Sequence, residues 1–177
     1  EAWNLPRTLI ASLDDSMVLR QGLHLLPEGA PAARALKAHV KAITKDGSEI
    51  VNEEIRANPW FNHGRAHGLD LTLPNLRPGL AGREEVFMGA GLARRIPIIG
   101  KGVEISERVA TAYLNKLRIE TYAAHAQELQ RMGAGYASFK ELAENIGILS
   151  GRASLGRAQP IAPLLNGMFF SARLNWA

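Results

Sequence analysis

The 177-residue chain contains no cysteine. This absence excludes a disulfide scaffold, a zinc site built on thiolates and a cysteine nucleophile. Aromatic residues make up only 6% of the chain, which is too few for a base-stacking platform. Hydrophobic residues at 46% and charged residues at 21% are close to globular averages, so disorder along the whole chain is not expected.

Long apolar runs are also missing. No stretch approaches the roughly 20 apolar residues that a membrane-spanning helix requires. The most apolar windows, 96–99 and 160–170, are short and are interrupted by proline or glycine. The sequence therefore predicts no transmembrane helix and leaves contact with a membrane surface open.

The charge balance is mildly basic, with 21 Lys and Arg against 17 Asp and Glu and a formal net charge of +4. A small basic excess permits contact with nucleic acid without indicating it. The chain begins at Glu1 rather than Met and ends in an apolar segment, 169–176. Because an exposed apolar end normally needs a partner surface, we expect residues 1–177 to be a single helical module, a fragment of a much larger protein.

The pattern of apolar residues predicts an all-α fold, because alternating runs of β-branched residues are absent and Ala and Leu dominate. We expect six to eight helices, in an arrangement that is extended rather than compact, around one long central helix from about 102 to 132 that ends at the glycines 133 and 135. Residues 31–44 predict an amphipathic helix, and Ser48 is expected to cap the next one. Residues 68–82 form the longest predicted loop. The apolar side of the 31–44 helix is expected to carry Ala32, Ala35, Leu36, Val40 and Ile43.

The long helix carries a narrow polar stripe, called the polar seam below. At 100° per residue, the seam consists of Glu104, Glu107, Arg108, Thr111, Asn115 and Arg118. One interpretation is a solvated face with helix-stabilising ion pairs. The alternative is contact with another subunit or with phosphates, with Arg108 and Arg118 carrying the charge. Catalysis is disfavoured because carboxylates beside arginines stay ionised.

Two further motifs have weaker signals. His63 and His67 stand four residues apart and could place two imidazoles on one helix face for a metal ion, but no glutamate lies between them and a polar loop is the favoured interpretation. The segment 151–157 follows a helix and offers backbone N–H groups beside Arg152 and Arg157. It is interpreted mainly as a cap and turn, with an anion-binding loop as the alternative.

Several segments in this order resemble one family, the very large phage-encoded polyvalent or internal virion (ejection) proteins, in a helical region near their C-terminal part. The resemblance covers nearly the whole chain. The segments are Trp-Asn-Leu-Pro-Arg at 3–7, Leu-Arg-Gln-Gly at 19–22, Glu-Glu-Ile-Arg at 53–56 with Asn-Pro at 58–59, Arg-Glu-Glu at 83–85, Ile-Pro at 96–97, the stretch 106–118, Ser-Gly-Arg-Ala-Ser-Leu-Gly at 150–156, Pro-Leu-Leu-Asn at 163–166 and Phe-Phe-Ser-Ala-Arg-Leu at 169–174.

This resemblance implies a non-enzymatic structural or assembly module of a bacteriophage virion protein that takes part in genome ejection. It implies a place in the capsid interior or tail, delivery into the host cell on infection, and no cofactor or metal. The expected partners are further copies of the chain and portal, tail or internal virion proteins, with DNA as a further candidate. The residues expected to contact a partner are Arg108, Asn115, Arg118, Arg152, Phe169, Phe170, Arg173 and Trp176.

A DNA-binding module delivered with the phage genome is the alternative function. Its phosphate contacts would come from basic residues spread over the second half of the chain, and its affinity would fall steeply with salt. An enzyme is not expected, because the sequence offers no paired-carboxylate or metal constellation. The basic residues of the DNA alternative are Arg94, Arg95, Lys101, Arg108, Arg118, Arg152 and Arg157.

Overall fold

The computed structural model of the chain describes residues 23–73 and 97–150. Within these ranges the chain is helical and contains no strand, which confirms the predicted all-α class. A 3-10 helix comes first, and five α-helices follow it in the described ranges. The elements are the 3-10 helix Leu23–Glu28, α1 Ala30–Lys41, α2 Lys45–Arg56, α3 Phe61–Ala66, α4 Pro97–Arg131 and α5 Tyr136–Leu149.

Helix α4 is the long central helix that the sequence predicted, and its 35 residues begin a few positions before the expected start. Gly133 ends it in a left-handed conformation, with φ of +70°. The N–H of Ala134 donates to the carbonyl oxygen of Leu129, and the N–H of Gly133 donates to that of Gln130. These two bonds form a Schellman cap, for which glycine is preferred because it has no Cβ to clash at positive φ.

The core lies around α4, and every other described helix contacts it. Leu114, Leu117, Ile119 and Tyr122 of α4 are fully buried. Helix α5 folds back along α4 through the short connection after Gly133. It buries Phe139, Ala143 and Ile146, which follow the spacing of one helix face. None of the helices in the described ranges is long and apolar enough to cross a membrane.

Helix α1 packs antiparallel to α4 along a stripe of small side chains. Arg34, near the start of α1, bonds Glu120 of α4, whereas the carbonyl oxygen of Ala42, just after α1, accepts from Arg108. Ala32, Ala35, Ala38 and Ala42 are buried between these two ends. Alanine lets the two backbones approach closely and has a high intrinsic helix propensity.

This packing corrects the predicted apolar side of the first amphipathic helix. Ala32 and Ala35 are buried as expected, but Leu36, Val40 and Ile43 are 46%, 65% and 51% exposed. The helix wheel contains two apolar stripes. The stripe of small residues packs on α4, and that of large residues remains outside. We call the exposed set, Leu36, Val40 and Ile43, the α1 stripe.

The start of α2 also differs from the expectation. Thr44, rather than Ser48, is the N-cap, and its Oγ1 accepts a hydrogen bond from the N–H of Gly47 at 3.1 Å. Ser48 lies one turn inside the helix and is buried. A threonine cap satisfies one of the free N–H groups at a helix start.

The tight turn at this cap makes Gly47 intolerant of a side chain. A Cβ at position 47 would overlap the carbonyl oxygen of Lys41 and crowd Oγ1 of Thr44. We therefore expect Gly47→Ala to lower the free energy of unfolding by about 1–3 kcal/mol, measured by urea denaturation. Gly135→Ala is the control, because a Cβ there meets no atom within 4 Å. Its cost should stay below about 1 kcal/mol, and equal losses in the two variants would contradict the expectation.

Candidate functional site

Three residues of the polar seam of α4, Arg108, Asn115 and Arg118, bind other segments of the same chain. Asn115 is completely buried. Its Oδ1 accepts from the backbone N–H of Thr72 at 3.0 Å, and its Nδ2 donates to the carbonyl oxygen of Thr72. The side-chain amide therefore satisfies both backbone groups of one residue, as a neighbouring strand would. Asn115 attaches the segment 69–73 to the central helix.

That segment, residues 69–73, is part of the predicted loop and has neither helix nor strand in the structure, but it is packed on the core. Leu69, Leu71 and Leu73 are buried, whereas Asp70 and Thr72 between them are only partly so. Side chains of an extended backbone point alternately to opposite sides. The Leu-Asp-Leu-Thr-Leu alternation was the sequence signal for this packing, and it was missed because the run is short and has no β-branched apolar residue.

Arg118 of α4 lies beside the C-terminal end of α5 and is only 1% exposed. Its Nε donates to Oγ of Ser150 at 2.8 Å, and its Nη2 donates to the carbonyl oxygen of Ser150 at 3.1 Å. Ser150 is the C-cap of α5, and its hydroxyl donates in turn to the carbonyl oxygen of Ile146. A guanidinium at a helix C-terminus is favourable because the carbonyl ends carry partial negative charge.

Arg108 performs the same role at the end of α1. Its Nε donates to the carbonyl oxygen of Ala42 at 2.8 Å, and its Nη2 donates to that of Ile43 at 2.5 Å. The solvated-face interpretation of the seam is thus wrong for Asn115 and Arg118. Both side chains bind this chain's own segments and present no surface to a partner. The remaining expected contact residues, Arg152, Phe169, Phe170, Arg173 and Trp176, lie outside the described residues.

The DNA alternative loses two of its cations for the same reason, because Arg108 and Arg118 bind backbone groups inside the chain. Lys101 is exposed on α4. The other four basic residues of that hypothesis, and the 151–157 loop, lie outside the described ranges. The structure therefore brings no group of the hypothesis's seven cations together within the residues that it describes.

An ion-pair network joins α1, α2 and α4 beside the alanine stripe. Lys116 Nζ lies 3.0 Å from Glu120 and 3.4 Å from Glu54. Glu120 also pairs with Arg34, and Glu54 with Lys41, both at 2.7 Å. The hydrogen bond from Lys41 lowers the pKa of Glu54 from its ordinary value. Networked charges of this kind fix the relative positions of three helices.

The two histidines lie in an aromatic cluster, not in a polar loop, which corrects the favoured interpretation of that segment. They flank the end of α3, and their rings stack with centroids 4.2 Å apart. Nδ1 of His63 lies 2.9 Å from Oη of Tyr122, and Nδ1 of His67 donates to the carbonyl oxygen of His63. Trp60 and Phe139 meet the His63 ring edge-on. Histidine spacing predicted the shared face, but nothing in it predicted the aromatic surroundings.

The cluster geometry does not favour a metal site. The two imidazole planes are only 30° apart, so their in-plane lone pairs run side by side instead of converging on one ion. Over the described residues, no group of three or more metal-ligating side chains occurs. The cluster is better explained as packing that anchors the short helix α3 between α4 and α5.

Burial of His63 makes the cluster sensitive to acid. Desolvation, followed by the nearby His67, lowers the pKa of His63 from its ordinary 6.5. The folded state therefore favours the neutral ring, and its stabilisation is complete above pH 6.5 and is lost as the pH falls through the folded pKa. We expect the urea midpoint to fall between about pH 7.5 and about pH 5, and His63→Gln to reduce this fall. Identical acid profiles for the two proteins would contradict the assignment.

The exposed apolar residues form the main surface feature of the described chain. Leu36 and Val40 of the α1 stripe lie one turn apart on α1, and Ile43 lies in the turn that follows Lys41. Ile105, also partly exposed, lies one turn before Arg108 on α4, and Arg108 bonds the carbonyl oxygen of Ile43. The apolar surface therefore continues from the end of α1 onto α4.

Comparisons with protein-family models, with curated proteins and with solved structures found no match to this chain.

Proposed function

We propose that the chain is a non-enzymatic helical assembly module of a bacteriophage virion protein that takes part in genome ejection, and that it docks onto other protein through the α1 stripe. The observation that carries this proposal is the exposure of Leu36 and Val40 on α1, and of Ile43 in the turn after it, beside a helix face that is already buried.

The energetics favour a docking role for the stripe. Fully burying a Val, Leu or Ile side chain is worth roughly 1.5–3 kcal/mol relative to leaving it exposed. Three such side chains next to one another offer a partner helix or groove a continuous apolar contact. Exposed apolar residues scattered singly need no explanation, but a spaced set on one face is typical of an interaction site.

The interior of the described chain supports a structural role. Asn115, Arg118 and Arg108 each bind the backbone of a different segment, and Lys116 pairs with both Glu120 and Glu54. These groups hold the helices around α4 through hydrogen bonds and ion pairs within the chain. A general acid or base needs instead a group within hydrogen-bond reach of a substrate proton.

The virion setting is the part of the proposal that comes from the sequence resemblance. Its ordered segments run from 3–7 to 169–174 and include the stretch 106–118 of α4. A helical module held rigidly around one long helix, with an apolar seam outside, suits a repeated or layered assembly in a capsid or tail. Portal, tail and internal virion proteins are the partners proposed.

The proposal is tested in particles of the phage that encodes the chain. We expect the chain to be present in purified particles and the double variant Leu36→Asp/Val40→Asp to be missing from them, although it accumulates normally in infected cells. The measurement is quantitative mass spectrometry of particles and of lysates. Both changes are at exposed positions, so the variant should fold with a loss of stability within about 0.5 kcal/mol.

Ala137→Asp is the matched control, because it places the same carboxylate on an exposed position of α5. Particles of this variant should contain the wild-type amount of the chain. A chain that is found only in infected cells, and never in purified particles, would overturn the proposed function.

A further inference from the structure

Helix α2 presents a second exposed face, and its character is opposite to that of α1. Asp46, Glu49, Ile50 and Glu53 follow the spacing i, i+3, i+4, i+7 and are all exposed, with Ile50 at 50%. Ser48, Val51, Asn52 and Ile55 form the buried side of the same helix. We call the exposed set, Asp46, Glu49, Ile50 and Glu53, the acidic α2 face.

The two faces complement each other in charge. Arg34 and Lys41 of α1 already pair with Glu120 and Glu54, and Lys37 is the exposed cation beside the α1 stripe. Helix α2 presents three exposed carboxylates, those of Asp46, Glu49 and Glu53. Each face also has an exposed apolar centre, Val40 on one and Ile50 on the other. An apolar centre flanked by a lysine fits an apolar centre rimmed by carboxylates.

The two faces point in different directions, so one molecule cannot bring its own pair together. Lys41 bonds Glu54 of α2, which places α2 on the Lys41 flank of α1. Val40 lies about 100° away from Lys41 on the helix wheel, and the α1 stripe therefore faces away from α2. Ile50 lies opposite the buried side of α2. Complementary faces on different sides of one molecule join different molecules.

We propose that the partner of the α1 stripe is the acidic α2 face of a second copy of this chain. This inference rests on the proposed function, since it names the occupant of the same docking surface. The contact is heterologous, because one copy contributes α1 and the next contributes α2. Repetition of such a contact produces a ring if the rotation closes and a filament if it does not.

Two single variants test this arrangement by sedimentation velocity. Val40→Asp disables the α1 stripe and keeps the acidic α2 face, whereas Ile50→Asp does the reverse. We expect the wild type to form higher oligomers over a range on the order of micromolar to millimolar, and each variant alone to stay monomeric. An equimolar mixture of the two should form a discrete 1:1 complex, because one intact face of each kind remains.

The charge contribution is tested with a second pair. Lys37→Glu and Glu53→Lys should each weaken self-association at least tenfold, and a mixture of the two chains should recover part of it. Circular dichroism confirms folding in every variant, and Ala137→Asp should associate as the wild type does. Association that is unaffected by both charge changes would overturn the proposal.

Other outcomes separate this inference from the proposed function. If Val40→Asp is monomeric but Ile50→Asp still forms dimers, the α1 stripe pairs with itself and the acidic α2 face has no part. If the wild type stays monomeric while particles lose the Leu36→Asp/Val40→Asp chain, self-association is overturned and the virion role is kept. If the two variants form a 1:1 complex while purified particles lack the chain, the virion role is overturned and self-association is kept.

Discussion

Asn115→Leu is expected to lower the free energy of unfolding by about 2–4 kcal/mol, because it removes both hydrogen bonds by which the buried Asn115 amide holds the partly buried backbone of Thr72, at roughly 1–2 kcal/mol each. Leucine has the same branched arrangement of side-chain heavy atoms as asparagine, but it can neither accept from the N–H of Thr72 nor donate to its carbonyl oxygen. The 69–73 segment should then detach from α4. Urea denaturation measures the total loss.

Hydrogen exchange at the Thr72 amide identifies where the stability is lost. In the wild type the Thr72 amide should exchange slowly. In Asn115→Leu its exchange should be accelerated more than that of the other amides in the chain. Asn145→Leu is the control, since it makes the same change at an exposed position of α5. It should change stability by no more than about 0.5 kcal/mol. Equal losses of stability at positions 115 and 145 would show that the Asn115 side chain does not attach the 69–73 segment to α4.

The second large effect is a loss of stability at alkaline pH that originates at Tyr122. Burial raises the pKa of Tyr122 to about 12 from an ordinary value of 10.0. A group whose folded pKa is raised stabilises the fold fully below the unfolded pKa and loses that contribution as the pH rises through the folded pKa. At 1.36 kcal/mol per unit, about 2–3 kcal/mol should be lost between pH 10 and pH 12. Burial also raises the pKa of Tyr113, so it contributes in the same direction.

Tyr122→Phe should flatten this alkaline loss while lowering stability at neutral pH, since it removes the hydroxyl that lies 2.9 Å from Nδ1 of His63. Guanidinium denaturation at several pH values measures both changes. Tyr136→Phe is the control, because it removes the same group from a ring that is 62% exposed, and it should keep the wild-type alkaline loss. A Tyr122→Phe profile parallel to that of the wild type would contradict the assignment.

The parts of the fold that sequence could predict are those with local causes. The 3.6-residue periodicity of α4 and the glycine that ends it predicted a long central helix, which Pro97–Arg131 confirms. The spacing of His63 and His67 allowed a shared helix face as the alternative to the favoured polar loop, and their rings stack with centroids 4.2 Å apart. These features depend on residues a few positions apart, where periodicity and capping carry information.

The partners of the polar seam could not be predicted, because they are backbone groups of distant residues. Asn115 bonds a residue 43 positions earlier, and Arg118 bonds one 32 positions later. A backbone N–H or carbonyl has no side-chain signature, so the wheel showed which residues share a stripe and not what covers it. Helix α1 has two apolar stripes, and either could have packed on α4. The alanine stripe packs there because alanine allows the two backbones to approach closely, and periodicity alone does not reveal this.

The absence of cysteine from the chain makes a direct test of the docking surface possible. A single Val40→Cys variant has one thiol, at the centre of the α1 stripe, and an exposed thiol reacts readily with a maleimide. We expect the labelling rate to be high in the dilute monomer and to fall at least tenfold in the oligomer or in particles. A Glu144→Cys control on the exposed side of α5 should label at the same rate throughout. A thiol at position 40 that labels equally fast in the monomer, the oligomer and the particle would contradict the account.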